Sequence, residues 1–332
     1  MRPRIVVPAV TTSRQQLALA TGLVLSGLFL WLAARQVDAH SLVLAFGTLH
    51  PAGVAVCAIT TAVGILLRGI RWRVVAGFAR LEQPHFTRAT NLGVLTNLIF
   101  PGRAGEFVRV ITLANLAQCA LPGPLASAVV DRLIDVLVLT VCGVCLYWAL
   151  PASVAVGRWL TVFGLTGAMA ALMVAGLARN TAFSAALVAR FTRRWLHRWP
   201  LQPAVFITAL GHEFRAVMVR QPSLPLLLLA TLILGTDYAA IAVLLQAFSL
   251  SLPLAAPLLL WVCLAAGSAL PSAPGYVGVY QAASVWALGL FAVSPATAVA
   301  VVTVLQLSTL LVAIAMAGPG TIEILRHARA RN

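Results

Sequence analysis

Apolar runs of membrane-spanning length recur from residue 16 to residue 317, so the chain is not one soluble domain tethered by an anchor. A helix needs about 20 mostly apolar residues to cross roughly 30 Å of hydrocarbon. Segments 16–34, 49–67, 133–150, 158–178, 224–248 and 296–317 meet that requirement. Apolar residues make up 61 % of the chain and charged ones 9 %, against about 25 % charged in an ordinary globular chain. So few charges cannot cover a soluble surface. The expected fold is an all-α, polytopic integral membrane helix bundle.

Two stretches interrupt this pattern. Segment 86–100 is too short to span and ends at Pro101-Gly102, after which 104–118 reads as a second short helix. Segments 254–270 and 275–292 are parted by Pro271-Ser272-Ala273-Pro274-Gly275. A short helix, a Pro/Gly turn and another short helix describe a re-entrant hairpin, tolerated where protein or water satisfies the backbone. Six to eight crossings plus one or two such hairpins are expected; whether 254–292 crosses or re-enters stays open. The chain reads as one transmembrane domain, 1–332, with a first half 1–178, a cytoplasmic amphipathic connector 179–220 and a second half 221–332.

Arginine sets the orientation. The net charge is +15, and every one of the 23 basic residues is Arg. Arg2, Arg4 and Arg14 precede the first run, which is too long for a signal-peptide core and is expected to be retained. Residues 35–50 balance Arg35 against Asp38, whereas 68–90 hold Arg68, Arg71, Arg73, Arg80 and Arg88 against Glu82. Residues 179–220 are strongly basic, and the tail carries Arg326, Arg329 and Arg331 against Glu323. Both termini are therefore expected in the cytoplasm. Within the connector, Phe183, Leu187, Phe191, Trp195 and Trp199 recur every four residues opposite Arg190, Arg193, Arg194 and Arg198, the pattern of a helix lying on the membrane surface. Nucleic acid is not expected as a partner, because no soluble basic module is present to track phosphates.

Charges inside a bilayer are costly, so those beside spans are candidate site residues. One cluster is Asn97, Pro101, Gly102, Arg103, Gly105, Glu106 and Arg109. Glu106 and Arg109, three apart, share a helix face, and Arg103 sits where a helix N-terminus favours an anion. A second is Asp131, Arg132 and Asp135, at i, i+1 and i+4. Mutual pairing that merely fixes the hairpin is the structural alternative for both. Asp237 is the one charge between residues 221 and 322; pairing, protonation and a transport role all stay open for it. Pro271, Pro274, Gly275, Tyr276, Gly278 and Gln281 form an uncharged second break, and paired interrupted segments in two halves of a transporter point to a site between them. Cys142 and Cys145 have redox spacing but lie mid-span with no second pair, and read as packing residues. No metal site and no cofactor are expected.

Read together, N-x-x-x-P-x-R-x-G-E-x-x-R from Asn97, D-R-x-x-D from Asp131 and P-x-x-P-G-x-x-G from Pro271 resemble the lysylphosphatidylglycerol synthase transmembrane family, the flippase-like domain proteins. The likeness also takes in the Arg68–Arg73 end of the second run. It implies a bacterial inner-membrane protein, a free-standing member without the soluble transferase domain. Asp131 stands where that family usually has Glu, and Gln281 where it commonly has Glu.

The expected function is translocation of a phospholipid or lipid-linked substrate. Arg103, Arg109 and Arg132 would contact phosphate, Glu106 and Asp135 would orient them, and the two breaks would supply gating. The alternatives are a membrane enzyme transferring an aminoacyl or glycosyl group onto a lipid, and a scaffold for a separately encoded transferase. No nucleophile–base pair favours catalysis. The expected partner is a membrane lipid: an anionic or aminoacylated phospholipid, or a lipid-linked sugar. The topology has a direct check. Cysteines introduced at Ser184 and Ala328, in a background freed of native thiols, should resist an impermeant thiol reagent in intact cells; rapid labelling of either would overturn it.

Overall fold

The computed structural model of the chain describes residues 24, 26–77, 81–100, 103–150, 167, 169, 176, 203–219, 222–270 and 272–329. Pro101, Gly102, Pro271, the amphipathic helix expected over 183–199 and all but three residues of the 158–178 run lie outside that set. The described residues fold into helices without a strand. After a helical stretch at 26–34 come α1 (Ala39–Gly47), α2 (Pro51–Ala76), α3 (Gln83–Ile99), α4 (Ala104–Ala117), α5 (Pro122–Ala149), α6 (Pro203–Val219), α7 (Ser223–Ala247) and α8 (Ala255–Gly267). A 3₁₀ turn (Pro274–Tyr276) then leads to α9 (Val279–Gly289) and α10 (Pro295–Arg329).

Local chemistry sets these boundaries. Asp38 caps α1 by accepting from the Ser41 N–H at 3.0 Å. Proline in the first turn opens α2, α3 and α5, where its missing N–H has no helical partner to lose. Gly77, at φ +62°, ends α2 with its N–H bonded to the Arg73 carbonyl.

Among the described residues, three helices are long and apolar enough to cross a membrane: α2, α7 and the Pro295–Ala317 part of α10. Their lipid-facing stripes are visible as exposed apolar side chains at helical spacing. On α2 these are Val56, Ile59, Val63, Leu66 and Ile70, and on α10 Leu307, Leu311 and Ile314. Buried clusters lie on either side of the polar middle. One gathers Cys57, Leu244, Leu259, Leu288 and Val301, the other Trp72, Phe86, Val110 and Leu113.

The region 254–292, undecided from sequence, is a hairpin. α8 and α9 have 13 and 11 residues, about 20 and 16 Å at 1.5 Å per residue, too short to span singly. Ala45, Ala247, Phe248, Val293 and Ala298 share one buried cluster. The chain thus leaves α7 and enters α10 at the same end of the bundle. α3 and α4 form the other hairpin, with Gly105 seated against the Gly93 carbonyl.

The second run extends past residue 67: α2 continues through Arg68, Arg71 and Arg73 to Ala76. The helix can continue because Arg68 and Arg71 find carboxylate partners inside the bundle, as described below, so neither counts toward loop charge. The connector also does more than link. Phe214 and Val217 of α6 are buried with Val75, Ala126, Val130 and Leu226.

The most extensive helix–helix packing among the described residues joins antiparallel α2 and α7. A Cβ at Gly53 would fall on the Ala247 methyl, and the His50 N–H donates to the Ala247 carbonyl at 2.9 Å. Gly53→Leu is expected to destabilise the bundle by about 1–3 kcal/mol, read as a lower melting temperature in detergent. Gly53→Ala alone should show a smaller loss, and adding Ala247→Gly should restore stability by vacating the space.

Candidate functional site

Three helices bring seven charged side chains together. Arg71, near the end of α2, donates from Nε to Asp131 Oδ1 at 2.8 Å and from Nη2 to Asp135 Oδ1 at 2.6 Å. The two aspartates stand four apart on α5 and so share a face. The other oxygen of Asp131 accepts from Arg109 Nη1 of α4 at 3.2 Å. Arg109 also lies over the Trp72 ring at 4.8 Å, and its Nε is 3.0 Å from Glu106 Oε2 in ion-pair contact without hydrogen-bond alignment. Arg132 closes the set, donating to Glu106 Oε2 at 3.2 Å and Asp135 Oδ2 at 2.7 Å. Arg103 reaches Glu106 only at 3.9 Å.

Burial divides the cluster into two functions. Arg71 and Asp131 are each 1 % exposed and Arg109 is 3 %. Buried ions at that depth are tolerable only because each meets an opposite charge and hydrogen bonds. Arg103 and Arg132 are 35 % and 36 % exposed. The inner trio is scaffold, and the outer pair presents guanidinium groups. Four guanidiniums meet three carboxylates here, leaving one positive charge in excess.

Asp237 is paired. Arg68 Nη2 donates to its Oδ2 at 2.5 Å, and Trp261 Nε1 of α8 donates to the same oxygen at 3.0 Å. Of the readings left open for that carboxylate, the structure takes the ion pair.

Each break holds one bulky residue in the left-handed region, Arg103 at φ +57° and Tyr276 at φ +61°. For an L-residue this costs about 1–2 kcal/mol. The other bulky positive-φ side chain near a helix end, Gln118, closes α4 at its C-terminus, where left-handed geometry is common. Arg103 and Tyr276 instead come before helices. The geometry turns Tyr276 onto Tyr280, with ring centroids 4.9 Å apart and planes 11° apart. Gly275 (φ +65°) brings the second break within reach of the Leu98 carbonyl, and Gly278 (φ +87°) lies against the Ser26 carbonyl. The Ala273 N–H donates to Ser26 Oγ at 2.6 Å.

A cavity of about 940 Å³ lies between the helices, lined by Asn97 and Arg103 of the first break and Tyr276 of the second. Glu106, Arg109, Arg132, Asp135 and Asp237 reach the same cavity. The two breaks thus face one space. Two of the expected substrate contacts lie outside the cavity lining. Asp131 is absent from the lining, because Arg71 and Arg109 enclose it. Gln281 is absent too: its Oε1 accepts from the Gly278 N–H at 2.7 Å and its Nε2 donates to Gln306 at 2.8 Å. Gln306 in turn donates to the Gly275 carbonyl at 2.6 Å. These two amides tie the second break to α10. Asn97 combines both duties, since its Oδ1 accepts from the Gly105 N–H at 2.8 Å.

Sequence reasoning missed Arg71, Trp261, Tyr280 and Gln306 as site residues. Gln306 carried a usable signal, a lone amide inside an otherwise apolar run. Trp261 and Tyr280 carried none, since aromatic residues in membrane helices are commonplace.

The scaffold reading of Asp131 gives a stability prediction. Asp131→Asn leaves Arg71 and Arg109 short of a counter-charge and should destabilise the protein by about 3–5 kcal/mol. Asp135→Asn, at a position 32 % exposed, should have a clearly smaller effect. Melting temperatures of the two purified variants would check the order.

Comparison with known proteins agrees with this architecture. A glycosyltransferase, AglD from Haloferax volcanii, is 32 % identical over 139 residues, which make up 41 % of this chain and 21 % of that relative. The chain thus matches about a fifth of the relative's length. A family model described as the lysylphosphatidylglycerol synthase TM region matches residues 19–317. That match takes in both hairpins and the whole charged cluster, and the chain belongs to the lysylphosphatidylglycerol synthase transmembrane-region family.

Proposed function

We propose that this membrane protein translocates a phospholipid or a lipid-linked substrate. The observation that carries the reading is the cavity: a largely apolar wall bearing a net cationic cluster of side chains, between helices whose outer faces are apolar. A lipid presents two incompatible solvents' worth of surface. Its tails are at home beside the α2 and α10 stripes, and its headgroup needs polar partners on the way across. Arg103 and Arg132 supply them, since a guanidinium fork matches phosphate oxygens in bidentate fashion. Glu106 and Asp135 hold that pair in place. Asn97 ties the two arms of the first hairpin to each other, and Gln281 with Gln306 ties the second break to α10, so each break moves together with the element that holds it. The arginine distribution supports an inner-membrane location with both termini in the cytoplasm.

A second reading has one observation in its favour, the glycosyltransferase name of the relative matched over part of its length. On that reading the chain is the membrane portion of a lipid-directed transferase system, held together from separate polypeptides. Headgroup modification by the purified protein alone would favour catalysis over translocation.

The translocation reading is tested at Arg103. Replacing it with Gly removes the guanidinium and relieves the left-handed strain, so stability should be unchanged or higher. Lipid translocation in liposomes should fall tenfold or more, and Arg103→Lys should also be impaired because a point charge does not reproduce the fork. A fully active Arg103→Gly protein would remove the site from the proposal.

A further inference from the structure

We infer that the headgroup this cavity takes is an anionic phosphate joined to an uncharged, hydroxyl-bearing ring or polyol, and not a cationic aminoacyl group. The inference rests on reading the cavity as a lipid-headgroup site and names the class of lipid.

Charge gives the first half. Among the described residues, every carboxylate reaching the cavity already has a guanidinium partner. Glu106 is shared by Arg103, Arg109 and Arg132, Asp135 by Arg71 and Arg132, and Asp237 is held by Arg68 and Trp261. An ammonium group entering here meets no free anion, and it meets a cluster with positive charge in excess. An anion finds the opposite. Arg103 has no hydrogen bond among the described residues, its nearest carboxylate oxygen being 3.9 Å away, and its donors remain available.

The aromatic wall gives the second half. Tyr276 and Tyr280 stack and line the cavity together with Trp261. Their hydroxyls make no hydrogen bond among the described residues, and each is both donor and acceptor. A flat apolar face edged by free hydroxyls suits the C–H face and hydroxyl rim of a polyol ring. It offers nothing to an ammonium that the neighbouring guanidiniums do not oppose. The left-handed backbone at Tyr276 belongs with this assignment, because backbone strain of that kind collects at ligand clamps. A volume of about 940 Å³ leaves room for a ring beside the phosphate, near the upper end of the roughly 300–1,000 Å³ seen in small-molecule sites.

The test uses the full chain purified in a neutral detergent and three dioctanoyl lipids: phosphatidylinositol (anionic, cyclic polyol), phosphatidic acid (phosphate alone) and lysylphosphatidylglycerol (net cationic). Binding is measured by titration calorimetry. Phosphatidylinositol should bind at least tenfold tighter than lysylphosphatidylglycerol and several-fold tighter than phosphatidic acid. Tyr276→Gly, which removes the ring and relieves its strain, should weaken phosphatidylinositol about tenfold and leave phosphatidic acid within twofold. Arg103→Gly should weaken both. Lysylphosphatidylglycerol binding as tightly as phosphatidylinositol overturns the inference, as does failure of phosphatidylinositol to bind. Equal loss of both anionic lipids in Tyr276→Gly overturns the polyol half. Translocation is scored separately in liposomes. The expected binding order without any flipping would sink the translocation reading and leave the lipid class standing; flipping of lysylphosphatidylglycerol in preference to the others would do the reverse.

Discussion

A carboxylate with 1 % of its side chain exposed is a heavy electrostatic burden in a low-dielectric interior, several kcal/mol if it stood alone. Asp131 is tolerable because Arg71 and Arg109 approach it from two other helices. That requirement fixes more than one contact. It holds the end of α2, the α4 arm of the first hairpin and the start of α5 at one distance from each other. Arg109 rests over the Trp72 ring, and Trp72 in turn donates to Ser127 at 3.0 Å. The exposed Arg103 and Arg132 sit on the rim of this arrangement, held by Glu106 and Asp135. The scaffold is therefore what allows two cations to face a cavity without collapsing onto the nearest acid.

The two breaks solve complementary problems. The first delivers charge and the second delivers aromatic surface, and each does so through a single non-glycine residue in left-handed geometry. The backbone groups freed by the second break do not go unsatisfied. The Gly275 carbonyl accepts from Gln306, the Gly278 N–H donates to Gln281, and the Ala273 N–H donates to Ser26. Three amide or hydroxyl side chains thus stand in for the helical partners that an irregular segment at membrane depth lacks. This explains why a glutamine at 281 is at home in this chain: its carbonyl and amide ends are both used, and a carboxylate there would lose the donor that meets Gln306.

Much of the fold was legible because hydrophobic run length and Pro/Gly punctuation are local signals. The short helices around residue 100 and the α2, α7 and α10 spans follow from them. The D-R-x-x-D spacing likewise placed Asp131 and Asp135 on one face. What could not be read was partnership at long range. Asp237 is 169 residues from Arg68, and no spacing rule connects them. Arg71 was counted with the basic stretch 68–90, because an arginine after an apolar run ordinarily marks its end. Only the aspartates of α5 show why the helix continues. Asp131 and Gln281 were named as substrate contacts from their spacing and their place beside the spans, and burial by partners, which spacing does not encode, keeps both out of the cavity lining.

The separation of Arg68 from Asp237 also orders events during synthesis. At roughly 5–20 residues per second, Arg68 leaves the ribosome about ten to thirty seconds before its counter-ion exists. Arg71 waits for a shorter time, since Asp131 follows 60 residues later. Through that interval the last turns of α2 carry an uncompensated guanidinium, which hydrocarbon disfavours. α2 is then expected to sit displaced toward the water, with Arg68 at the headgroups, until α7 arrives. The Arg68–Asp237 pair can therefore close only after α7 has been made, and the cavity wall that it joins is completed by the second half of the chain.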